Sequence, residues 1–369
     1  TATATVQIAD LCLLPSQARL MKNNSFDWQV KGVDALGNKY ELPSGVSWSS
    51  SNAGMVSVNS SGLLQSSGST GEANVTVSWS GLSKTKNVKV VDDFAMPLAP
   101  QKIVKVALVI IDPQIPAAGG KRFSEVVWEN YFNLNWQQLN GGTPQQLANK
   151  VRDSLTALSG GVATYQIVET HDEPTLLTTF GSVELSVDSM YHLFQEPGWA
   201  TLHLVAEQLG QTQFHYNDLL NKYDFCTKSN NHQIDEVWVY AMPFIGMWES
   251  NMTGTGAFWI NGPVVTGNSC TDLLSILGMN YERTYDLALH NFTHRVETTM
   301  YRVFNTTVRY VPTDPPYPPG TMNELRQFMN FDALEPGKAN VGNSHFPPNA
   351  VENYGYYNTA TVTSYEQNW

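Results

Sequence analysis

The chain has 369 residues, 42% of them hydrophobic, with 21 Lys+Arg against 33 Asp+Glu for a net charge of −12. That length leaves room for two or three domains, and the acidic balance excludes a nucleic-acid binder working through a basic surface. No apolar run approaches the roughly 18 residues of a membrane-spanning helix, and the 3 cysteines are too few for a disulfide scaffold.

Charged residues make up only 15%, against an ordinary share of roughly 25%. Uncharged polar residues and aromatic rings take their place, which is the surface expected of an extracellular protein. The expected location is therefore secreted or cell surface. The opening TATATVQIADLCL shows no signal-peptide pattern, as a mature secreted form would not. N-x-Ser/Thr triplets occur at Asn23, Asn59, Asn74, Asn251, Asn291 and Asn305. In a chain so rich in Ser, Thr and Asn they arise by chance and carry little weight.

Residues 1–92 alternate apolar and polar side chains in short stretches. TVQIADLCL, SFDWQVKGVD, GVSWSS, MVSVNSSGLLQ, EANVTVSWSG and KTKNVKVV each predict a strand. Turn signals separate them at 36–38, 42–45, 60–62 and 69–71. Many short strands with regular turns predict a β-sandwich. Trp48-Ser-Ser-Ser-Asn52, Val56-Ser-Val58, Gly62 and Gly71-Glu-Ala-Asn-Val75 follow one another. In that order the segment resembles the bacterial immunoglobulin-like group 2 module. The resemblance implies a spacer or adhesive unit without catalytic residues, with Trp48 as the large core ring and Gly62 and Gly71 at positive φ. Cys12 is expected to be a small buried apolar residue.

Residues 93–101 (DDFAMPLAP) predict a linker, and 102–369 a second domain. Lys102–Ile111 is an apolar run ending in Asp112-Pro113, the pattern of a buried parallel strand. Helices are predicted at 143–158, 199–210 and 214–223. ATYQIVE predicts a second strand, closing on Glu169-Thr-His-Asp-Glu173, and Ile234–Met242 a third, ending at Pro243. Alternating strands and helices predict an α/β domain with a mainly parallel sheet. Ligands bind beyond the C-terminal ends of such strands. That rule collects Asp112, Glu169, His171, Asp172 and the segment Pro243–Glu249 at one edge.

The segment 279–304, MNYERTYDLALHNFTHRVETTMYRVF, predicts one long helix. Asp286, His290, His294 and Glu297 share a face of it. Two histidines four apart can present ring nitrogens to one metal, with Glu297 as a carboxylate ligand and a fourth position open for water. One zinc or other divalent metal is the expected cofactor, with Asp286 orienting His290. The residue after the first histidine is Asn291, where the zinc-peptidase helix has its glutamate base. Any base must therefore come from elsewhere, and Glu249 and Glu282 are the candidates. The alternative is a polar stripe paired with Arg283, Arg295 and neighbouring loops.

Glu249 and Glu282 also permit a metal-free reading, since two carboxylates flanking a cleft are what glycoside hydrolysis needs. Trp248, Trp259, Asn261, Asn280 and Tyr281 supply rings and amides suited to binding sugars. Cys226 and Cys270 flank this region, and in an oxidising compartment a disulfide between them is expected. Residues 312–369, rich in Pro, Gly, Asn and Tyr, predict ordered loops. His345, in Gly-Asn-Ser-His-Phe-Pro-Pro-Asn, is a candidate third nitrogen ligand or acid/base. Together DEVWVYAMPFIGMWES, NYER, LHNFTHRVE and GNSHFPPN resemble a family of secreted proteins of unassigned activity, which implies no reaction.

Three functions remain open on the sequence. The leading one is a secreted hydrolase of an extracellular polymer, glycan rather than peptide. The second is a zinc-type metallohydrolase or peptidase using His290, His294 and Glu297. The third is a non-catalytic adhesin or structural surface protein.

Overall fold

The computed structural model describes residues 7–14, 18–35, 39–92, 102–126, 134–160, 162–196, 198, 210–304, 325, 328–334, 336–355 and 357–364. The chain divides into two units, both rich in strands. One holds residues 1–96 and 300–369, the other residues 97–299. Residues 300–369, expected to complete the second domain, thus group with the first. The expected linker at 93–101 and nearly all of the expected helix at 199–210 lie outside the described residues.

In the first unit ten strands are described. They are β1 (Asp10–Leu14), β2 (Ala18–Met21), β3 (Ser25–Asp27), β4 (Gln29–Val33), β5 (Lys39–Tyr40), β6 (Ser47–Ser50), β7 (Val56–Val58), β8 (Leu63–Ser66), β9 (Gly71–Trp79) and β10 (Leu82–Val91). They form sheets ordered β1-β4-β5, β2-β10-β9-β6 and β3-β8-β7. The period-two pattern of β9 puts Ala73, Val75 and Val77 in the core and the residues between them outward. The ring expected at the centre was Trp48. The fully buried one is Trp28, with Trp48 stacked against it at 6.4 Å and only partly covered. Gly62, at φ +94°, is a position where a Cβ would lie 2.5 Å from the Trp28 carbonyl oxygen, so only glycine fits. Gly71 is nearly extended at φ +159°. Farther along the chain Phe331, Phe346 and Ala350 form a small buried cluster.

In the second unit the described strands are β11 (Lys102–Ile111), β12 (Gln114–Ile115), β13 (Lys121–Arg122), β14 (Ala163–Asp172), β15 (Thr178–Phe180), β16 (Val183–Glu184), β17 (Thr212–Phe214), β18 (Glu236–Ala241), β19 (Ser250–Thr253) and β20 (Leu274–Asn280). Its described helices are α1 (Trp136–Asn140), α2 (Pro144–Leu158), α3 (Val187–Gln195), α4 (Tyr216–Lys222), α5 (Phe225–Asn230) and α6 (Tyr285–Val303). The main sheet runs β14-β11-β18-β20-β19. Its first three pairings are parallel, and β19 closes the edge antiparallel to β20. All six residues of β18 are buried, as a strand flanked on both edges and covered on both faces requires. α2 starts as its sequence dictates. Thr143 caps the amide of Gln146, the Gln146 side chain returns to the Thr143 amide, and Pro144 takes the first turn.

Two expected helices resolve differently. The segment 214–223 divides into the end of β17 and the two turns of α4. The helix expected over 279–304 is the end of β20, a turn, and then α6 from Tyr285. Leu274–Met279 is an apolar run that the sheet buries between β18 and β19. The periodic pattern of α6 follows it with no proline or glycine between Met279 and Tyr285. The turn forms where the Arg283 amide reaches the Asn280 carbonyl.

Candidate functional site

The C-terminal ends of β18 and β20, the entry to β19 and the first half of α6 build one site. The turn after β18 carries Trp248 and Glu249 back to the sheet edge, where the Gly278 amide donates to the Glu249 carbonyl at 3.1 Å. The contact is close: a Cβ on Gly278 would lie 2.4 Å from the Trp248 carbonyl oxygen. The Trp248 amide is held from the other direction by the Tyr216 hydroxyl at 2.8 Å.

α6 lies on β20 through Asn291, whose side-chain amide donates to the Gly278 carbonyl at 2.7 Å. The residue occupying the place of a zinc-peptidase base is thus a tie between helix and strand. Deeper in, Phe292 meets the ring of Trp238 edge-on at 5.3 Å. Arg295 donates to Glu236, whose other oxygen accepts from the Trp238 indole at 2.9 Å. These contacts fix the rotation of the helix about its axis, and with it the direction in which His290 and His294 point.

The two imidazoles face each other, Nε2 to Nε2 at 2.9 Å, with rings nearly perpendicular. Glu249 Oε2 lies 3.9 Å from His294 Nε2, on the same side. Glu297 Oε2 lies 3.7 Å from His294 Nδ1, on the other side of the ring. The structure therefore brings His290, His294, Glu249 and Glu297 together, with Glu249 at the shared nitrogens and Glu297 behind. Asn261, whose side-chain amide donates to Glu249, holds a left-handed backbone at φ +90°. Such a conformation is costly for a non-glycine residue and persists only where its surroundings impose it.

Two ring nitrogens aimed at each other at this distance share either one proton or one cation, because two bare lone pairs repel. A tetrahedral zinc would set them roughly 3.3 Å apart, a small opening from the distance found. The His290 pKa lies below the ordinary histidine value. Burial is the main cause, the neighbouring His294 adds to it, Glu297 opposes it and Arg283 again lowers it. A neutral imidazole is the form that ligates metal.

A cavity of about 130 Å³ adjoins Glu249, lined also by Trp248, Asn280, Arg283, Ala288 and Asn291. Trp248 and Trp259 meet edge-to-face at 5.4 Å, each about half exposed. Glu282 accepts from the Arg283 Nε at 2.8 Å.

Asp286 accepts the Thr284 hydroxyl at the start of α6. Tyr281 is buried, its ring against Trp136 and its carbonyl bound by Asn140. Asp112 is buried and bonded by the amide and hydroxyl of Ser124. Burial pushes its pKa up, against the pull of Ser124, Arg122 and Tyr281. Glu169, His171 and Asp172 sit on β14, the edge of the sheet opposite β19. There Glu169 pairs with Lys228 at 2.7 Å, His171 stacks on Tyr223, and Asp172 pairs with Arg122. His345 belongs to the first unit, where its ring stacks on Tyr354 at 4.2 Å. Cys226 and Cys270 form a disulfide.

The sequence reading missed three contributors. Gly278, one residue before the expected helix at 279–304, was not singled out, and Asn291 reads as a missing base. Arg283 reads as a partner for carboxylates rather than as a wall of the cavity. A glycine inside an apolar run was the available signal for a close backbone approach.

No family model matches the chain, and no curated protein matches it. Among solved structures it is similar to a bacterial Ig-like domain containing GH10 xylanase from termite gut. The two share 10% identity at a TM-score of 0.15, over 79% of this chain and 68% of that one. A likeness at that score carries no argument about fold or function.

Proposed function

We propose that the second unit, read as an α/β domain, is a metal-dependent hydrolase of an extracellular polymer. The first unit is read as an immunoglobulin-like spacer. The observation that carries the reading is the convergence of His290 Nε2, His294 Nε2 and the Glu249 carboxylate. Two imidazoles four residues apart on one helix face hold one divalent ion of the zinc type, which when bound polarises a carbonyl and lowers the pKa of water. Glu297 stands at His294 Nδ1, where a carboxylate keeps the proton on that nitrogen and leaves Nε2 free to ligate. Glu249, held by Asn261, accepts the proton of the attacking water and returns it to the leaving group. The Cys226–Cys270 disulfide supports an oxidising, extracytoplasmic setting.

A second reading, metal-free glycoside hydrolysis by Glu249 and Glu282, is favoured by the half-exposed faces of Trp248 and Trp259 beside Glu249. These are suited to stacking on sugars. The same rings make glycan the preferred polymer under the first reading.

The test is a hydrolase screen of the purified protein on neutral, acidic and acylated polysaccharides and on peptides. Each is run untreated, after chelator, and after zinc is restored. The metal-dependent reading predicts activity lost on chelation, recovered with zinc and absent in Glu249→Gln. Activity indifferent to chelator yet lost in both Glu249→Gln and Glu282→Gln would replace it with the second reading. A zinc-loaded protein inert across the screen would favour an adhesin.

A further inference from the structure

We propose that Arg283 binds a carboxylate of the substrate in the cavity it shares with Glu249, so that the molecule acted on is an acidic one. This deepens the metal-dependent reading, on which its catalytic consequence rests, while the binding itself does not require that reading.

Arg283 lines the cavity next to Glu249. Its Nε is committed to Glu282, and its two terminal nitrogens have no protein partner among the described residues. Its side chain is about half exposed, so the fork is open to solvent rather than buried in the core. A guanidinium with both terminal nitrogens available is the side-chain group best shaped for a carboxylate, which it takes through two parallel hydrogen bonds.

The cavity also says where that carboxylate stands. At about 130 Å³ it holds roughly four waters' worth of liquid volume, enough for a carboxylate and the few atoms joining it to the scissile bond. Glu249 carries like charge in the same cavity and repels a second carboxylate at its own end. The acid group is therefore driven to the Arg283 end, leaving the bond to be cut facing Glu249, whose Oε2 lies 3.9 Å from His294 Nε2. Two sources supply this chemistry: a uronic acid residue of a glycan and the C-terminal carboxylate of a peptide.

The test is calorimetric binding to the full chain supplied with zinc, using two pairs of probes. One is trigalacturonate and its methyl ester; the other is the dipeptide Gly-Phe and its C-terminal amide. The acid member of one pair is expected to bind roughly 10- to 100-fold more tightly than its neutral counterpart. That preference should vanish in Arg283→Ala and survive in part in Arg283→Lys. A preference in the galacturonate pair identifies a glycan source, and one in the dipeptide pair a peptide source. Equal binding of acid and neutral forms in both pairs, no binding of any probe, or an unchanged preference in Arg283→Ala would overturn the proposal. Zinc content is measured on the same samples. A zinc-free protein that keeps the preference counts against the metal reading and leaves the Arg283 site standing. A zinc-loaded protein without the preference removes only the site.

Discussion

Arg295, the residue after His294, donates to Glu236 at the start of β18, and both are almost wholly buried. The pair is fully engaged: Glu236 also accepts from Trp238, and the Arg295 guanidinium lies 4.8 Å over the Phe292 ring. The histidine direction is thus set by a buried charge contact one residue away. Removing one partner leaves the other charge without compensation, which costs about 3–5 kcal/mol. Arg295→Met is expected to lose that much in urea unfolding. The double variant Glu236→Gln/Arg295→Met should lose clearly less than the sum of the two singles. Additive losses would mean that the pair does not act as a unit.

Gly278→Ala tests the close approach between β20 and the Glu249 turn. A Cβ there meets backbone rather than a yielding side chain, so the turn carrying Glu249 must move. Overpacking of this kind costs about 1–3 kcal/mol, read as a lower urea midpoint. The displacement should also abolish hydrolysis more completely than the stability loss accounts for. A variant as active as the parent would show that Glu249 need not stay in place.

Cys226→Ser/Cys270→Ser removes a link between residues 44 apart in the chain. Loop-closure entropy puts the loss at about 4 kcal/mol. The measurement is the shift between oxidised and reduced protein, alongside the double variant. An unchanged midpoint would show that the link contributes nothing to stability.

Glu173 supplies the pH dependence. Burial tends to raise its pKa, but Lys222, Thr175 and Tyr223 bond its carboxylate and hold the value below the ordinary one. A carboxylate with a depressed folded pKa contributes stability that is fully present above its unfolded value, near 4.5. That contribution is lost as pH falls from there through the folded value. The parent should therefore lose stability on acidification through this window, and Glu173→Gln should show a shallower loss. An equal slope in both would assign the acid sensitivity to other groups.

The polar face of α6 was legible because a helix repeats every 3.6 residues, so His290, His294 and Glu297 align from spacing alone. The buried strands β11 and β18 were legible from continuous apolar runs. The start of α6 was not, because β20 runs into it with no proline or glycine stop between Met279 and Tyr285. The meeting of Glu249 with His294 was not legible either. It joins residues 45 apart in the chain and depends on the pairing of β19 with β20, which no local pattern encodes. Trp28 and Trp48 illustrate the same limit. Trp48 reads as the core ring, and only packing decides which of the two rings is enclosed.

The most direct measurement is the metal content of the purified protein and of His290→Ala/His294→Ala, after growth with zinc and dialysis against metal-free buffer. The account predicts about one zinc per chain in the parent and none in the double variant. A parent without metal, or a variant that retains it, would contradict a metal centre on this helix face.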